Sequence, residues 1–493
     1  MKVLWLCNIV LPAIAKKLHM PESNKEGWLT GISEAILREK ENKITLGICF
    51  PVSKDRDGVR GTVSIPDTND IFDTKGTFDT NGTFDTNGIA DTNGIFDTIS
   101  TANTTDTIGG VVSNTPDRRR EEDRRKTGMK TGAEVAYYGF YEDTQHPEIY
   151  DSSLEERLKS IVEQFEPDII HIFGTEFPHT LAMAKICRNR KRILISVQGI
   201  CSELAKYYTV GLPSDVCKKK TFRDWLKKDN IIEQQEKFML RGANEKAALA
   251  LAGNIAGRTA WDKAVLGKYL ETAKYYKWNE TLRSHFYGKD WKIGDCERYS
   301  VFVSQGNYPI KGLHIALRAF PKVLEKYPNA KMYVAGDKIT AYGSFKEKVK
   351  IGTYGKYLLE LIRQNHLEEH VVFLGRLDAE GMCERLLKSH VFLSASVLEN
   401  SSNTVGEAML LGVPVVSSET GGVPSLLEGE KEGLFYPTED EHALAEQIVR
   451  IFADEKLADR LSAAGKRRAG KTHDAGTNYR RLLEIYHEIN LCI

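Results

Sequence analysis

The chain reads as an α/β protein with two successive parallel-sheet domains facing a central cleft. Three features of the sequence predict this. Short, near-continuous apolar segments recur, amphipathic stretches separate them, and the alternation restarts near residue 298. Strands that are apolar throughout are covered on both faces, and the intervening helices provide the cover.

In the first half, residues 2–7 (KVLWLC) predict a buried strand, 28–40 an amphipathic helix and 43–51 a second strand. Residues 134–141 read as strand, 154–165 as helix, 168–174 (DIIHIFG) as strand, 179–190 as helix and 192–199 as strand. A helical stretch over 221–250 leads into another strand–turn–helix at 253–267. In the second half, 298–306, 330–336, 370–375, 391–396 and 413–418 read as strands, with helices over 312–327, 355–365, 382–390 and 404–411 between them. The expected domains are 1–296, 297–474 and a C-terminal helix, 475–493, turning back toward the first domain. An insertion, 54–132, interrupts the first domain and carries tandem hexapeptides over 65–100 of the type TFDTNG. Its Gly, Asn and Asp favour turns, and one aromatic per repeat builds no core, so it is expected to be disordered or loosely turned.

Basic and acidic residues balance at 68 each, which gives no support for a nucleic-acid partner. The eight cysteines are scattered without a CxxC, a pattern of reduced thiols and not of a disulfide framework or zinc site. Residues 1–20 lack the flanks and cleavage site of a signal peptide. No run of about 18 apolar residues occurs, so no transmembrane helix is expected. The expected location is cytoplasmic, with peripheral attachment at the inner face of the membrane through 217–228 (CKKKTFRDWLKK), which mixes lysines with Phe222, Trp225 and Leu226.

The chain has no GxGxxG after either first strand, no P-loop and no GxSxG, which removes the main support for dinucleotide oxidoreductases, P-loop enzymes and α/β-hydrolases. Its most informative stretch runs from Ser396 to Gly422, where Glu399 and Glu407 bracket NSSNTVG. Glu399 follows a strand's carboxyl end, and a helix over 404–411 would end at Gly412. The amides of Asn403 to Gly406 would then lie at a helix N-terminus, a ready site for phosphate. Thr404 and Glu407 also have capping-box spacing, which leaves Glu407 a purely local role as the alternative.

The ordered set Glu399, Glu407-Ala408-Met409, Gly412-x-Pro414-Val415-Val416 and Gly421-Gly422-x-Pro424 resembles the donor-site signature of glycosyltransferase family 4. The resemblance is firmest over 298–440 and implies a GT-B fold and a retaining reaction on a UDP- or GDP-linked sugar. It makes 1–296 the acceptor-binding domain and 297–474 the donor-binding domain, with no cofactor beyond the donor itself and no Asp-x-Asp metal site. Carried over, Glu399 would meet the donor sugar, Glu407 the ribose, and the amides of Ser402, Asn403 and Thr404 the diphosphate. Gly306, Lys311 and Gly312 match the family's phosphate loop, but Asn307 stands where the family usually has arginine, so either another cation, Arg258 or Arg283, substitutes or Lys311 acts alone. Gly375 and Arg376 would lie at the base. In the first domain, Gly27-Trp28-Leu29 resembles the family's glycine loop, with Glu26 in place of a second glycine. His171, Gly174, Glu176 and His179 surround a strand's end, so His171 is expected to orient a sugar in the cleft, a packed strand histidine being the alternative. The stretch 278–288, with Arg283, reads equally as a binding segment or a hinge.

The implied function is hexose transfer to a saccharide or lipid-linked glycan in surface polysaccharide assembly. Two alternatives share the fold: a sugar-nucleotide-binding protein without turnover, motivated by Asn307, and a different reaction such as epimerisation.

Overall fold

In each of two sheets the chain starts in the middle, builds to one edge, then returns to build the other. The computed structural model describes residues 1–21, 27–38, 44–64 and 134–493, so the hexapeptide repeats lie outside the described residues. The first sheet comprises β1 (Lys2–Leu6), β2 (Thr45–Val52), β3 (Arg60–Ser64), β4 (Glu134–Tyr141), β5 (Ile169–Phe173), β6 (Ile193–Ser196), β7 (Asn254–Gly257) and β8 (Lys274–Lys277). Its order is β3-β4-β2-β1-β5-β6-β7-β8, parallel except at the antiparallel β3–β4 edge. The second comprises β9 (Glu297–Val303), β10 (Lys331–Ala335), β11 (Val371–Gly375), β12 (Ser389–Ser394), β13 (Val415–Ser418) and β14 (Leu434–Tyr436). It is wholly parallel, in the order β11-β10-β9-β12-β13-β14.

The direction of building reverses between β1 and β5 in one sheet and between β9 and β12 in the other. Open α/β sheets bind ligands in the crevice beyond the carboxyl ends of the strands at such a reversal. The burial of every residue of β5 and β12 follows from helices on both faces.

Local signals adjust several boundaries. The helical stretch expected over 221–250 is two helices, Phe222–Lys227 and Ile231–Leu251. Asn230 starts the second, accepting from the Glu233 amide while Glu233 caps it in return. An edge strand, β3, occupies part of the segment expected to be insertion, held by its ladder to β4.

The C-terminal helix Ala475–Leu491 packs on the first sheet, where Leu482, Ile485, Tyr486 and Ile489 share a core with Val3, Trp5 and Trp278. This helix accounts for His171. The imidazole is fully buried, with Nδ1 2.6 Å from Tyr486 Oη and Nε2 2.7 Å from Ser196 Oγ. Burial pushes its pKa well below the ordinary value. The expectation of a cleft histidine is therefore corrected. The side chain of β5's third residue points at a helix that arrives 315 residues later in the chain, and both ring nitrogens are spent there.

The segment following β6 carries residues of the first half into the second core. Leu204, Tyr208, Val216 and Phe238 cluster with Phe320, Leu358 and Leu361. His314 joins this junction from the helix Leu313–Lys326, its Nε2 3.2 Å from the Val210 carbonyl oxygen and its Nδ1 3.1 Å from Tyr354 Oη. Burial, aided by Arg318, lowers its pKa from 6.5 to about 3. The unfolded chain therefore takes up the proton first as pH falls. The stabilisation from a neutral His314 is full above about pH 6.5 and lost toward pH 3, amounting to about 2 kcal/mol by about pH 5. Melting temperatures at about pH 7 and about pH 5 should fall less for His314→Gln than for wild type, and equal falls would contradict this.

Candidate active site

The loops after β9 and β12 lie side by side at the reversal of the second sheet, as the Val397 amide donates to the Ile310 carbonyl at 2.8 Å. Their approach demands glycine. Gly312 has φ 67°, and a Cβ there would lie 1.8 Å from the Ala395 carbonyl oxygen. From the far side, a Cβ on Gly422 would lie 1.9 Å from the Asn400 carbonyl oxygen, and the Gly422 amide donates 2.8 Å to the Glu399 carbonyl. The backbone of 395–400 is thus gripped from both sides.

Lys311 donates to Glu399 Oε1, and Ser396 Oγ donates to the same oxygen at 2.8 Å. Burial works against the Lys311 charge, but the Glu399 carboxylate outweighs it and raises its pKa above the usual lysine range. Beyond Glu399 the helix Asn403–Leu411 begins with Ser402 as its cap, Oγ accepting from the Val405 amide at 3.4 Å. The first intrahelical bond comes from Gly406 to the Ser402 carbonyl, so the helix leaves the N–H groups of Asn403 and Thr404 without an intrahelical acceptor. Gly412 ends it with φ 85°.

The capping-box alternative for Glu407 fails on this geometry. The helix starts one residue earlier than expected, which moves Glu407 to its second turn. Its carboxylate is instead gripped in fork geometry by Arg283, Nε to Oε1 at 2.7 Å and Nη2 to Oε2 at 2.8 Å. Glu407 is 2% exposed, and each oxygen keeps a second lone pair. Burial works against the Arg283 charge and Glu407 more than restores it. Arg283 therefore spends its fork on orienting an acid.

Arg258 does reach the helix start. It extends from the end of β7 across the cleft, Nη1 3.3 Å from Asn403 Oδ1 and 2.7 Å from Glu280 Oε2, with Nη2 3.1 Å from Gln198 Oε1. Its Nε is buried without a hydrogen-bond partner. The same turn and the loop after β6 dock the two halves of the chain. Thr259 Oγ1 donates to Asn400 Oδ1 at 2.9 Å, Asn400 Nδ2 donates to the Gln198 carbonyl at 2.9 Å, and the Ala260 amide donates to Ser425 Oγ at 3.1 Å. Sequence reasoning singled out Arg258 only as a substitute cation and missed Gln198, Asn400 and Glu280. Glu280 lies within the polar–aromatic stretch 278–288, which was the available signal.

Asn307 sits on Asp337, Nδ2 to Oδ2 at 3.4 Å, and its Oδ1 is buried without a partner. Asp337 also receives Arg376 in a fork, at 2.6 and 2.9 Å, which brings the loops after β9, β10 and β11 together. Gly306 packs on Leu313, and Gly375 ends β11 with φ 76° beside open space.

In the first half, His179 lies near the β1–β5 reversal but is buried, Nδ1 2.6 Å from Glu142 Oε2 and Nε2 3.1 Å from Asn8 Oδ1. Glu176 accepts from the Thr175 and Gly199 amides at 2.7 and 2.6 Å, while Gly174 takes φ 90°. These groups brace the loops of that reversal. Gly27 opens the helix Gly27–Arg38 and Leu29 is buried, while Glu26 lies outside the described residues. Among the described residues no cluster of His, Cys, Asp and Glu could hold a metal ion, and no helix is long and apolar enough to cross a membrane.

Comparison with known proteins agrees with this architecture. Residues 286–468 match the family model described as Glycosyl transferases group 1. The chain is 22% identical over 320 residues to N-acetyl-alpha-D-glucosaminyl L-malate synthase of Bacillus anthracis, covering 64% of this chain and 73% of that protein. Matches to two further curated glycosyltransferases span only 37% and 46% of their lengths. Sucrose-phosphate synthase from Thermosynechococcus elongatus superposes with a TM-score of 0.61 at 13% identity, over 100% of both chains. HepE of Anabaena, solved with UDP and glucose, gives 0.56 at 15% identity, over 99% of this chain and 100% of that one. The fold is GT-B, the C-terminal half carries a glycosyl transferases group 1 domain, and the chain is a transferase of the glycosyltransferase class.

The buried fork makes a stability prediction. Glu407→Leu alone strands a guanidinium and should cost about 3–5 kcal/mol, while Arg283→Met with Glu407→Leu should recover most of that loss in denaturant unfolding. A double variant as unstable as the single one would contradict the pairing.

Proposed function

We propose that the chain transfers a hexose-type sugar from a UDP- or GDP-linked donor to a saccharide or lipid-linked glycan, with retention of configuration, in surface polysaccharide assembly. One observation carries the reading: Arg258 meets the free end of helix Asn403–Leu411 at Asn403, and Lys311 meets Glu399 on the loop that leads into it. Two cations and a helix N-terminus suit a departing diphosphate, and flanking carboxylates suit hydroxyl groups. The likeness in fold to HepE, whose structure holds UDP and glucose, supports a nucleotide-linked donor.

In this reading Glu399 accepts from the donor sugar's hydroxyls and Glu407, oriented by Arg283, from the ribose. The amides of Asn403 and Thr404, with Lys311 and Arg258, take the diphosphate, and the loop of Gly375 and Arg376 takes the base. The bond between the anomeric carbon and the phosphate oxygen breaks while the acceptor oxygen bonds to that carbon on the same face. The acceptor's proton passes to the leaving diphosphate. No protein nucleophile is required, and the rate comes from positioning and charge stabilisation. Arg258 takes the part of the arginine missing at Asn307. The acceptor is met in the first half's loops, and 217–228 makes peripheral contact at the inner face of the membrane. A second reading, donor binding without turnover, follows from the neutral Asn307 standing where the family usually has arginine, its Nδ2 turned to Asp337.

A panel of UDP- and GDP-sugars separates the two readings. One donor should raise the melting temperature and release its nucleotide, and Arg258→Gln should slow that release by about 100-fold. Stabilisation with no release from any donor supports the binding protein, and an unaffected Arg258→Gln removes Arg258 from the site.

A further inference from the structure

A second feature lies away from the donor site, on a surface to which both halves of the chain contribute. Helix Phe222–Lys227 of the first half adjoins helix Phe345–Lys350 of the second. Phe222, Trp225 and Leu226 are 60%, 67% and 65% exposed, and Phe345 is 83% exposed. Between the helices a cavity of about 300 Å³ is lined by Lys219, Lys220, Lys348 and Lys356 beside Phe222 and Tyr342, with Glu360 as its one acid.

The charge here is local, since the whole chain has a formal net charge of +0. Five exposed lysines fall between 218 and 228, and four between 346 and 356. The acids of the first stretch are turned inward. Asp224 and Asp229 are 1% and 8% exposed, and Arg223 forks onto Asp229 at 2.8 and 2.9 Å. Asp224 also accepts from the Thr353 amide at 2.8 Å, clasping the two halves beneath the surface. Of the lysines lining the cavity, Lys219 and Lys220 pair with Asp215 and Glu233 at 2.8 and 2.6 Å. Among the described residues no acid pairs with Lys348 or Lys356. Lys227, exposed yet partly desolvated, is drawn below the usual lysine range first by that desolvation, then by the charge of Arg223 and, against the pull of Asp229, by Lys350 of the facing helix.

Exposed aromatic and aliphatic side chains ringed by lysines match the interface of a bilayer, where rings enter the headgroup layer and ammonium groups meet phosphates. The exposed cations are lysines, point charges without the fork geometry that reads a defined protein or nucleic-acid partner, and the one arginine of the stretch is occupied internally. We propose that Phe222–Lys227 and Phe345–Lys350 together form a docking face for an anionic phospholipid bilayer, with the lysine-lined cavity between them receiving lipid headgroup phosphates. This deepens the membrane contact of 217–228 by adding the second helix and the lipid class, and it does not rest on the transfer chemistry. Because the face bridges both halves, a docked bilayer holds them as one unit.

Flotation with phosphatidylcholine vesicles, with and without phosphatidylglycerol, tests the face. Phosphatidylglycerol should tighten binding by about tenfold or more, and salt should weaken it. Two double variants, Trp225→Ser with Phe345→Ser and Lys348→Glu with Lys350→Glu, should each lose about tenfold or more. Phe345→Ser alone should weaken binding too. Equal binding to both vesicles, binding to neither, wild-type behaviour of the variants, or competition by inorganic phosphate alone would overturn the proposal. Donor-induced stabilisation, measured on the same proteins without vesicles, should be unchanged, so that failure of the face and failure of the donor reading are told apart.

Discussion

The site depends on a steric constraint in the backbone. The chain over 395–400 runs so close to its neighbours that no side chain fits at Gly312 or Gly422, and the Gly421 position, at φ 51°, lies equally near the Glu399 carbonyl. That grip fixes where Glu399 stands and where the helix Asn403–Leu411 begins. Docking of the first half follows from it, because Asn400, held in the same grip, accepts from Thr259 in the turn after β7 and donates to the Gln198 carbonyl after β6. A Cβ at any of these glycines would lie 2.1 Å or less from a backbone carbonyl oxygen and would disturb loop, helix start and interface together.

On this frame the charges are arranged in pairs: Lys311 with Glu399, Arg283 with Glu407, Arg258 with Glu280. Pairs this poorly hydrated are weak sources of stability, since the cost of removing both charges from water consumes most of their attraction. Their value is in orientation. Each cation is held at a chosen point, and each carboxylate retains lone pairs for a hydroxyl. In the proposed reading, a diphosphate entering at the helix start would find cations already positioned, with little reorganisation left to the moment of reaction.

The two-sheet architecture was legible in the sequence because its signal is local: apolar segments of strand length between amphipathic ones. Gly412 as a helix stop and Asn230 as a helix start are likewise decided within a few residues. What was not legible arises between residues far apart in the chain. Arg283 meets Glu407 across 124 residues, and His171 is enclosed by a helix 315 residues away, so neither partner could be read from spacing. The capping box at Thr404 and Glu407 looked sound locally but lost to that distant arginine and to Ser402 starting the helix. The role of Asn400 needed the fold, because a loop asparagine carries no sequence signal for the surface it will meet.

The central claim is that a nucleoside diphosphate sits with its terminal phosphate at the start of helix Asn403–Leu411, within reach of Arg258. The most direct test is calorimetric titration of UDP, UMP, GDP and GMP into wild type and Arg258→Gln. For one base, wild type should prefer the diphosphate over the monophosphate by about tenfold or more, and Arg258→Gln should lose most of that preference. Equal affinity for the two phosphates in wild type, or an undiminished preference in the variant, would contradict the account.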